Sequence, residues 1–149
     1  LAREEVGKLS DRELFLIGVG LYWAEGTKDK SYSRREALYF INSDPNMIKT
    51  YLRWLELLGV TRERMRLRVS IHESADVPAA EAFWADLVGV NVSAFQKATL
   101  KKHNPTTKRK NTADTYRGCL IIYVTKSADL YRRMEGAWYG IVLGAKTTA

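Results

Sequence analysis

The sequence predicts an α+β domain, and three observations carry that prediction. Four stretches hold apolar residues at helical spacing between recognisable caps, four others have strand character, and the two kinds are interspersed without a β-α-β rhythm. Elements in that order pack as one mixed or antiparallel sheet with helices on one face. The length of 149 residues, with 46% apolar and 28% charged residues, suits a single domain with a real core. No internal repeat, low-complexity tract or long Pro/Gly linker divides it. The whole of 1–149 is expected to be one domain, with residues 1–9 a linker from a further domain upstream, since the chain opens at Leu1 rather than Met.

The first expected helix opens at a capping box, Ser10 with Glu13 three residues on, runs from about Asp11 to Ala24 and stops at Gly26. The second takes Asp44 as its cap and Pro45 as its first residue. Its core stripe is Met47, Ile48, Tyr51, Leu52, Leu55 and Leu58, and Gly59 ends it. The third uses Asp76 and Pro78, with Ala79, Ala82, Phe83 and Leu87 as its core stripe and Gly89 as its end. The fourth starts at Ser127 and is expected to bury Leu130, Tyr131, Met134, Trp138, Ile141 and Val142. Each carries one tryptophan (Trp23, Trp54, Trp84, Trp138), whose large rings suit packing. The expected strands are Ala37–Asn42, Arg64–Ile71, Lys97–His103 and Tyr116–Thr125, with the polar segment Asn104–Asp114 as an exposed loop around Pro105.

Composition narrows the function. Lys and Arg number 24 against 17 Asp and Glu, a formal charge of +7 and a pI of about 9.6, which favours a polyanionic partner. The single cysteine, Cys119, forms no internal disulfide, and with His72 and His103 it cannot complete a structural zinc site; a reducing cytoplasm is the expected setting. The apolar run Leu14 to Ala24 is too short to span a bilayer, and no secretory signal is visible, so no membrane partner is expected.

The charges are not scattered. In Arg62-Glu-Arg-Met-Arg-Leu-Arg-Val-Ser-Ile-His72, the residues Arg62, Arg64, Arg66, Arg68 and His72 share one parity, while Met65, Leu67, Val69 and Ile71 share the other. On a strand, one parity enters the core and the other forms a row of guanidinium groups. Such a row repels itself unless an anion covers it, and guanidinium forks fit phosphates and guanine edges. The plain alternative is a solvated face balanced by Glu63 and other acids. A second basic cluster follows in Lys97, Lys101, Lys102, Lys108, Arg109 and Lys110, with no acid before Asp114. The outward parity reads as basic rather than aromatic. That favours a sheet lying in the major groove of double-stranded DNA over a stacking platform for RNA.

The first helix is apolar on nearly every side and is expected to be buried all round. Its Gly18 and Gly20 each cost about 1 kcal/mol relative to alanine, which close approach of a second helix would offset. Glu25 at its C-terminal end opposes the helix dipole, so a metal ion or a basic group is expected beside it. The segment Gly18-Val-Gly-Leu-Tyr-Trp-Ala-Glu-Gly26 resembles the LAGLIDADG motif of homing endonucleases: Gly20, Leu21, Ala24 and Gly26 match, and Glu25 stands where that family has its metal-binding acid. Phe40-Ile-Asn-Ser-Asp-Pro45 leading into a helix, Phe83-Trp84 before Gly89, and Tyr116-Arg-Gly-Cys119 entering a strand are similar to the stand-alone homing-endonuclease-like proteins of bacteria and archaea. The resemblance covers most of Leu14 to Tyr139.

That resemblance implies a saddle-shaped, mostly antiparallel sheet that grips the major groove, in a nucleoid-associated protein. It also implies a homodimer packed through the motif helix at Gly18, Gly20 and Ala24. Mg²⁺ would be held by Glu25 of each subunit at the scissile phosphates, with Lys97 or Lys101 stabilising the phosphorane-like transition state. Some relatives keep the fold and bind without cutting. This sequence departs from the family pattern in four places, one of them the helix around Phe83, which looks like an insertion. Glu25 replaces the commoner Asp, Trp23 fills a usually small or acidic position, and Thr27–Arg35 is polar and basic where a strand is expected. The ordinary alternative for Glu25 is a helix-end acid, and Asp44 is better explained as a cap than as a ligand. Three readings stay open: a DNA endonuclease, a DNA-binding regulator that does not cut, and an RNA-binding maturase-like module.

Overall fold

In the computed structural model, which describes residues 1–30, 35–102 and 116–146, the helices begin where the capping residues stand. The Ser10 hydroxyl accepts from the Glu13 N–H at 3.1 Å and the Glu13 carboxylate accepts from the Ser10 N–H at 2.8 Å, closing the box at the head of α2 (Asp11–Glu25). These bonds hold the Glu13 carboxyl below its ordinary pKa, the backbone bond contributing most. Asp44 caps α3 (Pro45–Leu57) and Asp76 caps α4 (Val77–Val88) in the same way. The last helix, α5 (Ala128–Gly144), follows Ser127, whose hydroxyl has another task. It donates to the Val124 carbonyl at 2.6 Å and accepts from the Leu38 N–H at 2.8 Å, stitching two strand ends together. Where a linker was expected at the start, a short helix α1 (Ala2–Val6) forms, with no buried residue. No helix among the described residues is long and apolar enough to cross a membrane.

The class is α+β, with a four-stranded mixed sheet. Its strands are β1 (Tyr39–Asn42), β2 (Met65–His72), β3 (Thr99–Lys101) and β4 (Cys119–Val124), in the order β1-β4-β2-β3. β4 is antiparallel to both β1 and β2, and β3 runs parallel to β2 at the edge. All four are shorter than, or shifted from, the sequence expectation. Arg62 and Arg64 fall in a single 3-10 turn before β2 rather than on the strand. Lys97 precedes β3, and β4 starts only after Gly118. Gly118 has φ +64, and its backbone lies against the Ser70 carbonyl at a distance where a side chain would collide. His103 and the loop Asn104–Asp114 lie outside the described residues.

Phe40, Leu67, Val69, Ile71, Leu120 and Ile122 enter one core with Val19 and Tyr22 of α2, Tyr51, Trp54 and Leu55 of α3, and Trp84 and Val88 of α4. The centre is aromatic: Phe40 stacks on Tyr51 at 4.1 Å between centroids, and Tyr22 lies 6.2 Å from Trp54. Trp54 donates to the Phe15 carbonyl at 3.2 Å and Trp84 to the Arg117 carbonyl at 2.8 Å, so both buried indoles are satisfied. Trp23 and Trp138 stack on each other between α2 and α5.

Three helix faces differ from their expected ones. α2 is not buried all round: Ile17 is 44% exposed, and Ala24 is exposed too. α4 turns Ala80, Trp84, Ala85 and Val88 inward, holds Phe83 and Leu87 half-buried against the core and leaves Ala82 outside. α5 buries Tyr131 and Met134 and packs Leu130, Trp138 and Ile141 half-buried against the core, but leaves Val142 38% and Leu143 65% exposed.

Candidate nucleic-acid interface

Alternation on β2 sends Met65, Leu67, Val69 and Ile71 into the core and Arg66, Arg68, Ser70 and His72 to the other face. Register then fixes their neighbours. Arg66 lies beside Tyr123 of β4, which lies beside Tyr39 of β1; Arg68 lies beside Ile121, which lies beside Ile41. Further along, Ser70 sits between Cys119 and Thr99, and His72 beside Lys101. This outer face is open at the Arg66 end and closed at the other, where Ser70 and His72 are 4% and 7% exposed. His72 is therefore not the surface contact expected from its parity; its Nδ1 lies 2.6 Å from the Ser74 hydroxyl.

The arginines divide into two groups. Arg62 donates to the Val88 carbonyl at 3.0 Å and pairs with Glu56 at 3.0 Å. Arg64 donates to the Thr125 and Lys126 carbonyls at 3.1 and 3.2 Å, holding the turn between β4 and α5. Both are structural fasteners at the entrance to β2, and the expected five-residue basic row shrinks to Arg66 and Arg68. Arg66 is exposed and, among the described residues, reaches only the nearby Glu63 and Met65 carbonyls. Arg68 is half-buried and donates to the Tyr39 hydroxyl at 3.1 Å, while its Nε is buried without an acceptor among the described residues. Lys97, Lys101 and Lys102 are exposed. None of Arg66, Arg68, Lys97, Lys101 and Lys102 pairs with a carboxylate among the described residues. Lys108, Arg109 and Lys110 lie outside the described residues.

Tyr39 and Tyr123, half-exposed on this outer face, are the residues of the candidate site that sequence reasoning missed. The outward parity is aromatic as well as basic, against expectation. Tyr39-Phe-Ile-Asn42 and Cys119-Leu-Ile-Ile-Tyr-Val124 are nearly apolar on both parities, so neither strand discloses which side faces out. The available signal was the phenol itself, since a hydroxyl favours the wetter face.

At the far end of α2, Glu25 is exposed. Lys28 caps the same helix end, its ammonium donating to the Trp23 carbonyl at 2.8 Å and the Gly26 carbonyl at 3.1 Å. Among the described residues no group of three or more His, Cys, Asp or Glu side chains is placed to hold a cation.

The two motif glycines serve different ends. A methyl group on Gly18 would fall inside the Trp54 indole, so the close approach that Gly18 permits is to α3 of the same chain. Gly20 meets nothing within 4 Å and, with Ile17 and Ala24, lies on the open side of α2. No family model, no curated protein and no solved structure matches the chain.

Proposed function

We propose that this domain binds double-stranded DNA through the open half of the outer sheet face and the adjoining β3 edge. The observation that carries the reading is the contrast between basic groups. Arg62 pairs with Glu56, whereas Arg66 and Arg68 on β2 and Lys97, Lys101 and Lys102 on and beside β3 carry no carboxylate partner among the described residues. Cations left uncompensated on one surface of a chain of charge +7 favour a phosphate backbone. The LAGLIDADG-like arrangement belongs to the same proposal, with a homodimer through the open Ile17, Gly20 and Ala24 side of α2. Lys28 favours the form that binds without cutting, because the helix end at Glu25 already has its positive charge.

The test is fluorescence anisotropy with a labelled duplex across a salt series. Log affinity should fall linearly with log salt, by about 0.9 per phosphate contacted. Affinity that ignores salt would sink the reading. Plasmid incubated with Mg²⁺ should remain supercoiled; nicking that Glu25→Gln abolishes would restore the endonuclease.

A further inference from the structure

The row that crosses the sheet at Tyr39 has a chemistry that phosphate binding alone does not use. Arg66, Tyr123 and Tyr39 stand side by side on adjacent strands, and the Arg35 guanidinium carbon lies 6.0 Å from the Tyr39 ring centroid. The two phenol rings are 6.3 Å apart at 61°, edge towards face, so they do not cover each other as a parallel stack would. Both are only part-buried. Arg68 holds the Tyr39 hydroxyl at 3.1 Å, which fixes that ring against the sheet. In the next row Ile41 is 36% exposed, adding an apolar floor. Every outward residue of β1, β4 and β2 is aromatic, aliphatic, basic, or small and polar; none is a carboxylate.

Phosphates bind cations and hydrogen-bond donors, the phenol hydroxyl among them, but gain nothing from the flat faces of the rings. A base has a flat apolar face that stacks on an aromatic ring, but in an intact duplex that face is hidden by its neighbours. Only an unpaired base offers it. We propose, resting on the DNA-binding reading above, that Tyr39 and Tyr123 form a stacking site for an unpaired base, with Arg66 and Arg35 on the flanking phosphates. The preferred ligand is then a DNA duplex interrupted by an unpaired nucleotide.

The experiment compares a uniform duplex with the same duplex carrying one bulged nucleotide, in competition against the labelled uniform probe. The bulged duplex should bind about tenfold more tightly, the range expected for one stacked base, and 2-aminopurine at the bulge should be quenched on binding. In the Tyr39→Leu/Tyr123→Leu protein, checked for folding by circular dichroism, the ratio of the two affinities should fall to near one. Equal wild-type affinities, or a ratio that survives in the variant, overturn the stacking site and leave the duplex reading standing. Absence of salt-dependent binding to either duplex removes the duplex reading and the stacking site with it. If the double variant does not fold, the wild-type ratio and the quenching decide.

Discussion

The Tyr22 hydroxyl accepts from the backbone N–H of Tyr39 at 3.1 Å, so a core residue of α2 fixes the first residue of the strand that carries the outer tyrosine. The same hydroxyl donates to the Thr27 carbonyl at 2.6 Å and has the Ala37 carbonyl at 3.1 Å. The end of α2, the segment after it and the start of β1 are thus joined at one oxygen. Tyr51, stacked beside it, is fully buried, and its hydroxyl has no partner among the described residues.

The same substitution should therefore act in opposite directions at these two tyrosines. Tyr22→Phe leaves buried backbone groups unpaired and should cost about 1–3 kcal/mol, whereas Tyr51→Phe removes an unsatisfied hydroxyl and should be neutral or stabilising by up to about 1 kcal/mol. Urea unfolding of both variants checks the prediction. Equal destabilisation would show that the Tyr51 hydroxyl is bonded.

Burial pushes the phenols of Tyr22, Tyr51 and Tyr131 above the ordinary value of 10.0. A folded pKa above the unfolded one means that the stabilisation is whole below about pH 10 and is lost as pH rises beyond it. Stability should thus be flat from about pH 8 to about pH 10 as far as these groups decide it, then fall. Tyr51→Phe should lessen the fall. A variant whose alkaline limb superimposes on that of the wild type would count against this account.

Gly18→Ala and Gly20→Ala separate packing within the chain from packing between chains. The first drives a methyl group into Trp54 and should cost about 1–3 kcal/mol, as overpacking does. The second meets nothing within 4 Å and should stabilise the single chain through helix propensity by up to about 1 kcal/mol, read as a higher melting temperature. If α2 also forms the proposed dimer, Gly20→Ala weakens association. Sedimentation across a concentration series reads this separately from the melt.

On DNA, Arg66→Ala and Lys101→Ala should each flatten the log–log salt dependence by about 0.9. Arg62→Ala breaks bonds to Glu56 and Val88 instead, so it should lower stability and leave the slope alone. A slope that responds to Arg62 and not to Arg66 would move the interface to the turn before β2.

Short-range chemistry settled much of this molecule in advance. Ser10, Asp44 and Asp76 announce three helix starts because each bonds a backbone N–H two or three residues away. Met65 to Ile71 announce a strand because alternation is a property of the segment itself. The α+β class followed from the order of those elements. The composition of the outer face did not follow. Whether Tyr123 points outward, and that it stands between Arg66 and Tyr39, depends on strand order and register, and residues distant in sequence meet only once the sheet has assembled. For the same reason Arg62 and Arg64 continue the parity of Arg66 on paper but not in space, because a 3-10 turn interrupts the strand there and carbonyls of α4 and of the turn after β4 capture their guanidinium groups. Glycine shows the division most sharply. The cost of Gly18 in a helix is legible from one residue, but the side chain that makes it necessary, Trp54, belongs to another helix and is brought there by the packing of the core.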